Sequence, residues 1–168
     1  MLNKKIENLI VEQMNFEIQS AYIYLAMGAY CDSIDMPGFA NWFKVQWEEE
    51  IYHSTRMYEY IVERGGRPIM ESIPAPQKEW ESLIDTFEKA LLHEQEVTSR
   101  INNIMTEAVN TNDHATRSFF NWYIDEQVEE ESTVDTIIKQ LKMVKDSGHG
   151  LFMMDREMGS RSFVKPAK

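Results

Sequence analysis

Glycine and proline are missing from most of this 168-residue chain and gather at a few places. Pro37-Gly38, Gly65-Gly66, Pro68, Pro74, Pro76, Gly148 and Gly150 are its main punctuation. Both residue types interrupt helices. The segments between them repeat apolar residues at spacings of three and four, which predicts long amphipathic helices. The pattern predicts helices over 3–32, 37–64, 79–110 and 113–145, and a short fifth over 150–158. Asp35 and the Pro37-Gly38 pair suit the start of the second helix, and Gly65 suits a C-terminal cap on it.

The first and second helices are joined by DSIDMP, and the third and fourth by NTND. Such short links make antiparallel hairpins. The link GGRPIMESIPAPQK is longer. A helix of about 28 residues is about 42 Å long, and a strap of about 14 residues can reach about 46 Å. The strap can therefore run the length of the bundle and leave the second and third helices parallel. The expected fold class is all-α: a four-helix bundle of two hairpins with one long crossover and a short fifth helix at the C-terminus. Residues 1–145 should form the bundle, and 146–168 a short helix and tail of the same domain.

Composition narrows the function. With 43% hydrophobic residues the chain can build a core. A net charge of −11 argues against nucleic acid, whose phosphates need a basic surface. It is compatible with attraction of cations. The single cysteine, Cys31, excludes an intrachain disulfide and any CxxC metal site and is expected to be buried. No apolar run approaches a membrane span, and MLNKKIENLIVEQ carries no signal-peptide core. A cytoplasmic protein without membrane contact is expected.

The inward faces carry an anomaly. They read Ile6, Ile10, Gln13, Glu17, Ser20, Tyr24, Met27 on the first helix, and Phe39, Phe43, Gln46, Glu50, His53, Met57, Tyr60 on the second. The third reads Leu83, Phe87, Ala90, Glu94, Val97, Ile101, Ile104, and the fourth Phe120, Tyr123, Gln127, Glu130, Val134, Ile137, Leu141. Each is apolar toward its ends and polar at its middle. A lone glutamate marks a solvated edge, but four at one height describe a polar layer inside the bundle. Buried carboxylates without partners would protonate or disrupt the fold, so cations should occupy the layer.

Glu50-x-x-His53 places both side chains on one side of the second helix. With Glu17 it makes two carboxylates and an imidazole, and Glu94 and Glu130 add two more carboxylates. Such oxygen-rich sites suit iron or manganese. Di-iron carboxylate bundles carry Glu-x-x-His on two helices. Here the fourth helix has Gln127-x-x-Glu130 instead, so two unequal metal positions are expected.

The stretches NFEIQSAYIYLAM, GFANWFKVQWEEEIYHS, YIVERGGRP and FFNWYIDEQVEEES resemble the non-haem ferritins of bacteria and archaea, and the resemblance covers essentially the whole chain. It implies a ferritin-like bundle with a ferroxidase centre. Glu17, Glu50 and His53 would surround one iron, and Glu50, Glu94 and Glu130 the second, with Gln127 close by. It also implies a third iron site using Glu49, Glu126, Glu129 and Glu130. Tyr24 matches a tyrosine beside the centre, and Trp122 a nearby tryptophan. Bacterioferritins place a haem-ligating methionine directly after the glutamate of the second helix. Ile51 stands there, so no haem is expected. The resemblance further implies oxidation of Fe(II) by O2, storage of ferric mineral, and a homo-oligomeric cage of twenty-four chains.

The alternative is a di-iron redox enzyme, a rubrerythrin-like peroxidase or oxygenase, on the same bundle. The missing second Glu-x-x-His and CxxC pairs weigh against it. A bundle whose polar layer only fixes helix register, and a twelve-chain cage, complete the set. Tyr24 could donate an electron, or simply bond a carboxylate through its hydroxyl. His93, His114 and His149 lack partners at metal spacing and are expected at the surface or at caps.

Overall fold

The computed structural model describes residues 2–166. Met1, Ala167 and Lys168, the outermost positions of the expected bundle and tail, lie outside the described residues. The helices are α1 (Lys4–Ser33), α2 (Pro37–Glu63), α3 (Leu83–Asn110), α4 (His114–Val144) and α5 (Gly148–Met158). Among the described residues none of them is long and apolar enough to cross a membrane.

Side-chain caps start four of the five. Asn3, Ser82, Asp113 and Ser147 each accept from a backbone N–H in the first turn that follows. Ser82 explains why α3 starts at Leu83 and not at 79. It accepts from Asp85 N at 3.1 Å, while Asp85 accepts from Glu81 N at 3.2 Å. This exchange of bonds resembles a capping box and leaves 79–82 outside the helix.

The other ends of α1, α2 and α3 share one device. Asp35, Gly65 and Asn112 have φ of 58°, 76° and 55°. In each case that residue and the next return N–H bonds to carbonyls of the last turn, a Schellman closure. Asp35 therefore ends α1 and does not cap α2. The start of α2 has Pro37 in its first turn but no cap from its own Met36. Its cap comes from far along the chain: Asp155 on α5 accepts from Gly38 N at 2.8 Å and Phe39 N at 3.0 Å. Gly38 has to be glycine, since a Cβ there would lie 1.6 Å from the Asp155 carbonyl oxygen.

The link between α2 and α3 is extended and lies along α1. Arg67 N donates to Glu7 at 3.2 Å, Asn15 bonds Ile69 O and Glu71 N at 2.8 and 2.9 Å, and Trp80 packs 5.3 Å from Tyr30. From Glu7 to Tyr30 is about 35 Å of helix, so the strap crosses most of the bundle. Pairs such as Tyr24–Glu94 and Gln13–Arg100 run α1 against α3, and Gln46–Glu130 and Tyr60–Thr116 run α2 against α4. Thus α2 and α3 are parallel. This is the four-helix bundle of two hairpins and one crossover, with α5 packed on α2 and α4.

Every residue of the four inward faces is buried except Leu83, which is half-buried. The apolar core divides into two clusters. One holds Phe39, Phe43, Phe87 and Leu141, and the other Ile6, Met57, Ile101 and Phe120. Between them lies the polar layer.

Candidate metal centre

The layer is built by facing turns of four helices. Gln13, Glu17, Gln46, Glu50, His53, Glu94, Gln127 and Glu130 are all buried. Among the described residues, Glu17, Glu50 and His53 form the one set of three or more potential ligands whose donor atoms lie within 4.8 Å of one another. Glu94 and Glu130 stand outside that set. They face it across the layer, near enough that their charges are felt at Glu50.

The two sides are satisfied differently. Glu17 accepts from Gln13 Nε2 at 2.9 Å through one oxygen only. Its Oε2 and that of Glu50 are buried with no hydrogen-bond donor. Glu50 Oε2 lies 3.3 Å from His53 Nδ1, but this approach is not aligned as a hydrogen bond. Across the layer, Glu94 accepts from the Tyr24 hydroxyl, and from Gln127 Nε2 at 3.1 Å. Glu130 accepts from Gln46 Nε2 at 2.7 Å.

Burial dominates the electrostatics. It pushes Glu17 and Glu50 well above the ordinary carboxylate range, and neighbouring carboxylate charge adds to the shift. Glu94 rises too, held back by its bonds from Tyr24 and Gln127. Glu130 is pushed up to about 8, by burial first and then by the charges of Glu94 and Glu49. Burial favours the protonated form of these carboxyls, and a cation would supply both the charge that ionises them and a partner for the bare oxygens. The donor set of carboxylates and one imidazole fits iron by hardness and charge.

Glu49, Glu126 and Glu129 lie outside the set of Glu17, Glu50 and His53, and among the described residues they do not, with Glu130, bring three donor atoms within 4.8 Å of one another. Glu49 and Glu126 are half-buried and Glu129 is exposed. Burial raises the first two, and Glu126 adds its charge to Glu49. Glu49 pairs with Arg161 at 2.6 Å. Trp122 sits edge-on to His53 with centroids 5.4 Å apart, and Arg56 lies 3.9 Å over the Trp122 ring. Tyr24 bonds Glu94, the second of its two expected roles. Cys31 is buried as expected, and burial pushes its thiol up to about 12.

His93 departs from expectation. It is half-buried, and it caps no helix. Its ring stacks on Phe16 at 5.0 Å, meets Tyr24 edge-on at 6.0 Å, and shares a 2.7 Å bond with Ser20 Oγ. Burial lowers it to about 4. It is a neutral packing residue behind Tyr24. His114 and His149 are exposed in the first turns of α4 and α5.

Sequence reasoning placed Gln13 and Gln46 on the inward faces without a role. Gln13 stands four residues before its partner Glu17, a spacing that could have marked it, whereas Gln46 donates across the layer to Glu130, a partner no local spacing announces. Each amide is held by an arginine. Arg100 Nε donates to Gln13 Oε1 at 2.8 Å, and an Arg161 N–H donates to Gln46 Oε1 at 2.7 Å. Nothing periodic could have announced Arg161.

Known proteins match nearly the whole chain. The Ferritin-like domain family matches residues 7–144. The bacterial non-heme ferritin of Staphylococcus saprophyticus is 42% identical over 163 residues, 97% of this chain and 98% of the relative. That of Staphylococcus aureus is 41% identical with the same coverage. An open-pore ferritin from the hyperthermophilic archaeon Archaeoglobus fulgidus superposes with a TM-score of 0.95 at 38% identity, covering 96% of this chain and 100% of that one. A humanized archaeal ferritin superposes with a TM-score of 0.96 at 40% identity, covering 98% and 99%. A polar layer of carboxylates in a two-hairpin bundle and a full-length match thus lead to one conclusion: the chain belongs to the ferritin family, in its bacterial and archaeal non-haem branch.

Proposed function

We propose that this protein stores iron and is a ferroxidase, oxidising Fe(II) with O2 at a dinuclear centre inside each chain. The carrying observation is the pair of bare, buried oxygens on Glu17 and Glu50 beside His53. Iron is the substrate. The first Fe(II) is held by Glu17, Glu50 and His53, and the second by Glu50, Glu94 and Glu130, with Gln127 at its edge. Holding two ions side by side turns a multi-body encounter into one within the protein. Each Fe(II) gives one electron to O2. The added positive charge exceeds what four carboxylates balance, so oxygen ligands derived from O2 or water supply the rest. That loosens the hold of the layer on its product.

Glu49, Glu126, Glu129 and Glu130 then form a third iron position on the way out. Tyr24 acts chiefly by orienting Glu94. We place the chain in a homo-oligomeric cage of twenty-four copies, in the cytoplasm, with residues 1–145 as the bundle and 146–168 as a helix and tail of the same domain. The rubrerythrin-like reading has no observation of its own in its favour.

The test is aerobic Fe(II) loading, then size-exclusion with light scattering and an iron assay on the protein peak. Hundreds of irons in a twenty-four-chain particle are expected. About two irons per chain in a small oligomer would replace storage with a redox enzyme.

A further inference from the structure

Two relays of the same chemistry reach the polar layer from outside. In one, Arg100 holds Gln13, which donates to Glu17. In the other, Arg161 holds Gln46, which donates to Glu130. An amide can present either its oxygen or its nitrogen. A guanidinium has only donors, so it takes the oxygen and turns the NH2 toward the carboxylate.

The relays differ in their mounting. Arg100 stands on α3 and stacks 4.2 Å over Phe16. Arg161 comes from the tail beyond α5. Asn41 Nδ2 pins its turn by donating to Met158 O at 3.2 Å and Arg161 O at 3.0 Å. The guanidinium lies 4.6 Å over Trp42, and a second N–H donates to Glu49 Oε2 at 2.6 Å. Beyond it, Phe163 packs 5.8 Å from Tyr52, so the tail continues along α2 past Glu49. The arginine side chain is 25% exposed and that of Glu49 is 19% exposed, a half-buried pair that solvent screens only in part.

We propose that Arg161 is a displaceable internal cation: it neutralises Glu49 and orients Gln46 toward Glu130 until a metal ion arriving at Glu49 expels it. This rests on the outer carboxylates being an iron position. A divalent ion gripped by both oxygens of Glu49 needs the one that Arg161 occupies, and an ion on the other oxygen still repels the guanidinium. Once the guanidinium leaves, Gln46 loses the donor that fixes its amide. Glu130 then loses its N–H donor and gains a free lone pair for iron. Filling the outer position is thereby coupled to the second position of the centre, and the coupling is reciprocal.

The experiment is anaerobic calorimetric titration of the assembled full-length protein with Fe(II) and with redox-inert Zn(II). Hydrogen exchange of residues 160–165 is followed with and without Zn(II). In the unaltered protein three classes of site are expected, and tail exchange accelerates as the weakest fills. Arg161→Gln should tighten that outer class by about fivefold, the scale of one exposed-to-half-buried ion pair, with tail exchange fast from the start. Arg161→Lys keeps a charge that cannot fork between Gln46 and Glu49, and should fall between. Glu49→Gln should lose the outer class and keep a tail that metal does not loosen. Three classes with equal outer affinity in Arg161→Gln and a tail indifferent to metal would overturn the proposal and leave the outer site standing. Two classes in the unaltered protein would overturn both.

Discussion

The two hairpins contribute unequal halves to one polar layer. The α1–α2 half brings Glu17, Glu50 and His53 within 4.8 Å and leaves two buried oxygens bare. The α3–α4 half brings Glu94 and Glu130 already bonded, to Tyr24, Gln127 and Gln46. Both halves are buried acid, yet only the first leaves oxygens that no amide or hydroxyl donor reaches. A neutral donor satisfies a lone pair without supplying charge. An ion on the second half must displace such donors, so it should bind more weakly and leave more easily. The halves also differ in support. Ser82 and Asp113 cap α3 and α4 locally, whereas α2 takes its cap from Asp155 on α5.

The largest expected effect breaks the first half. His53→Ala or Glu50→Ala should slow the initial oxidation by about 100-fold or more, since even partners behind a ligand are worth about 10- to 100-fold in metal affinity. Stopped-flow absorbance of Fe(III) checks this, with circular dichroism showing an intact bundle. Wild-type rates would sink the ligand assignment.

Making the halves alike is the next test. Gln127→Glu with Glu130→His installs the second Glu-x-x-His. The ratio between the two metal affinities should narrow by about tenfold, measured by anaerobic titration. An unchanged ratio would mean that ligand identity does not set the asymmetry.

Acidity offers a third test. Glu130 is raised from 4.5 to about 8, and Glu17 and Glu50 shift the same way. The folded protein then binds protons more tightly than the unfolded chain. These groups favour folding at low pH, and that contribution declines as pH rises from 4.5 to about 8. Glu7 and Asp113 are lowered, so they oppose this only at more acid pH. In chelator-treated protein the melting temperature should fall across the upper window. Saturating Zn(II) should flatten the slope, because the carboxylates are then ionised by their cation. A flat profile without metal would mean that the carboxylates are not buried alone.

Smaller effects separate the supports. Asp155→Ala should cost about 1 kcal/mol, the worth of a helix cap, while leaving α3 and α4 untouched. Hydrogen exchange at the start of α2 reads it directly. Tyr24→Phe removes one donor from Glu94. Stability should drop by about 1 kcal/mol and the oxidation rate by no more than about fivefold, the equivalent of one hydrogen bond. A much larger loss would make Tyr24 an electron donor.

Most of the bundle is legible in the sequence because its determinants are local. Helices follow from spacing and from the places where glycine and proline stand. The inward faces are right at every position but the half-buried Leu83, since periodicity carries directly into burial. The polar layer is legible because four glutamates fall at matching depths in four independent patterns. The errors are also local. The start of α3 was set by a serine cap that apolar spacing overran, and Asp35 took a left-handed conformation at the end of α1.

What stayed hidden joins residues far apart in the chain. Asp155 caps α2 across 117 positions, and Arg161 reaches Gln46 across 115. His93, isolated by spacing, is enclosed by Phe16, Ser20 and Tyr24 from another helix. Sequence alone determined which side chains share a helical face, because that depends on backbone geometry within a few turns. Only the tertiary structure decided which donors meet which carboxylates, because those partners come together only after the helices, the strap and the tail have packed.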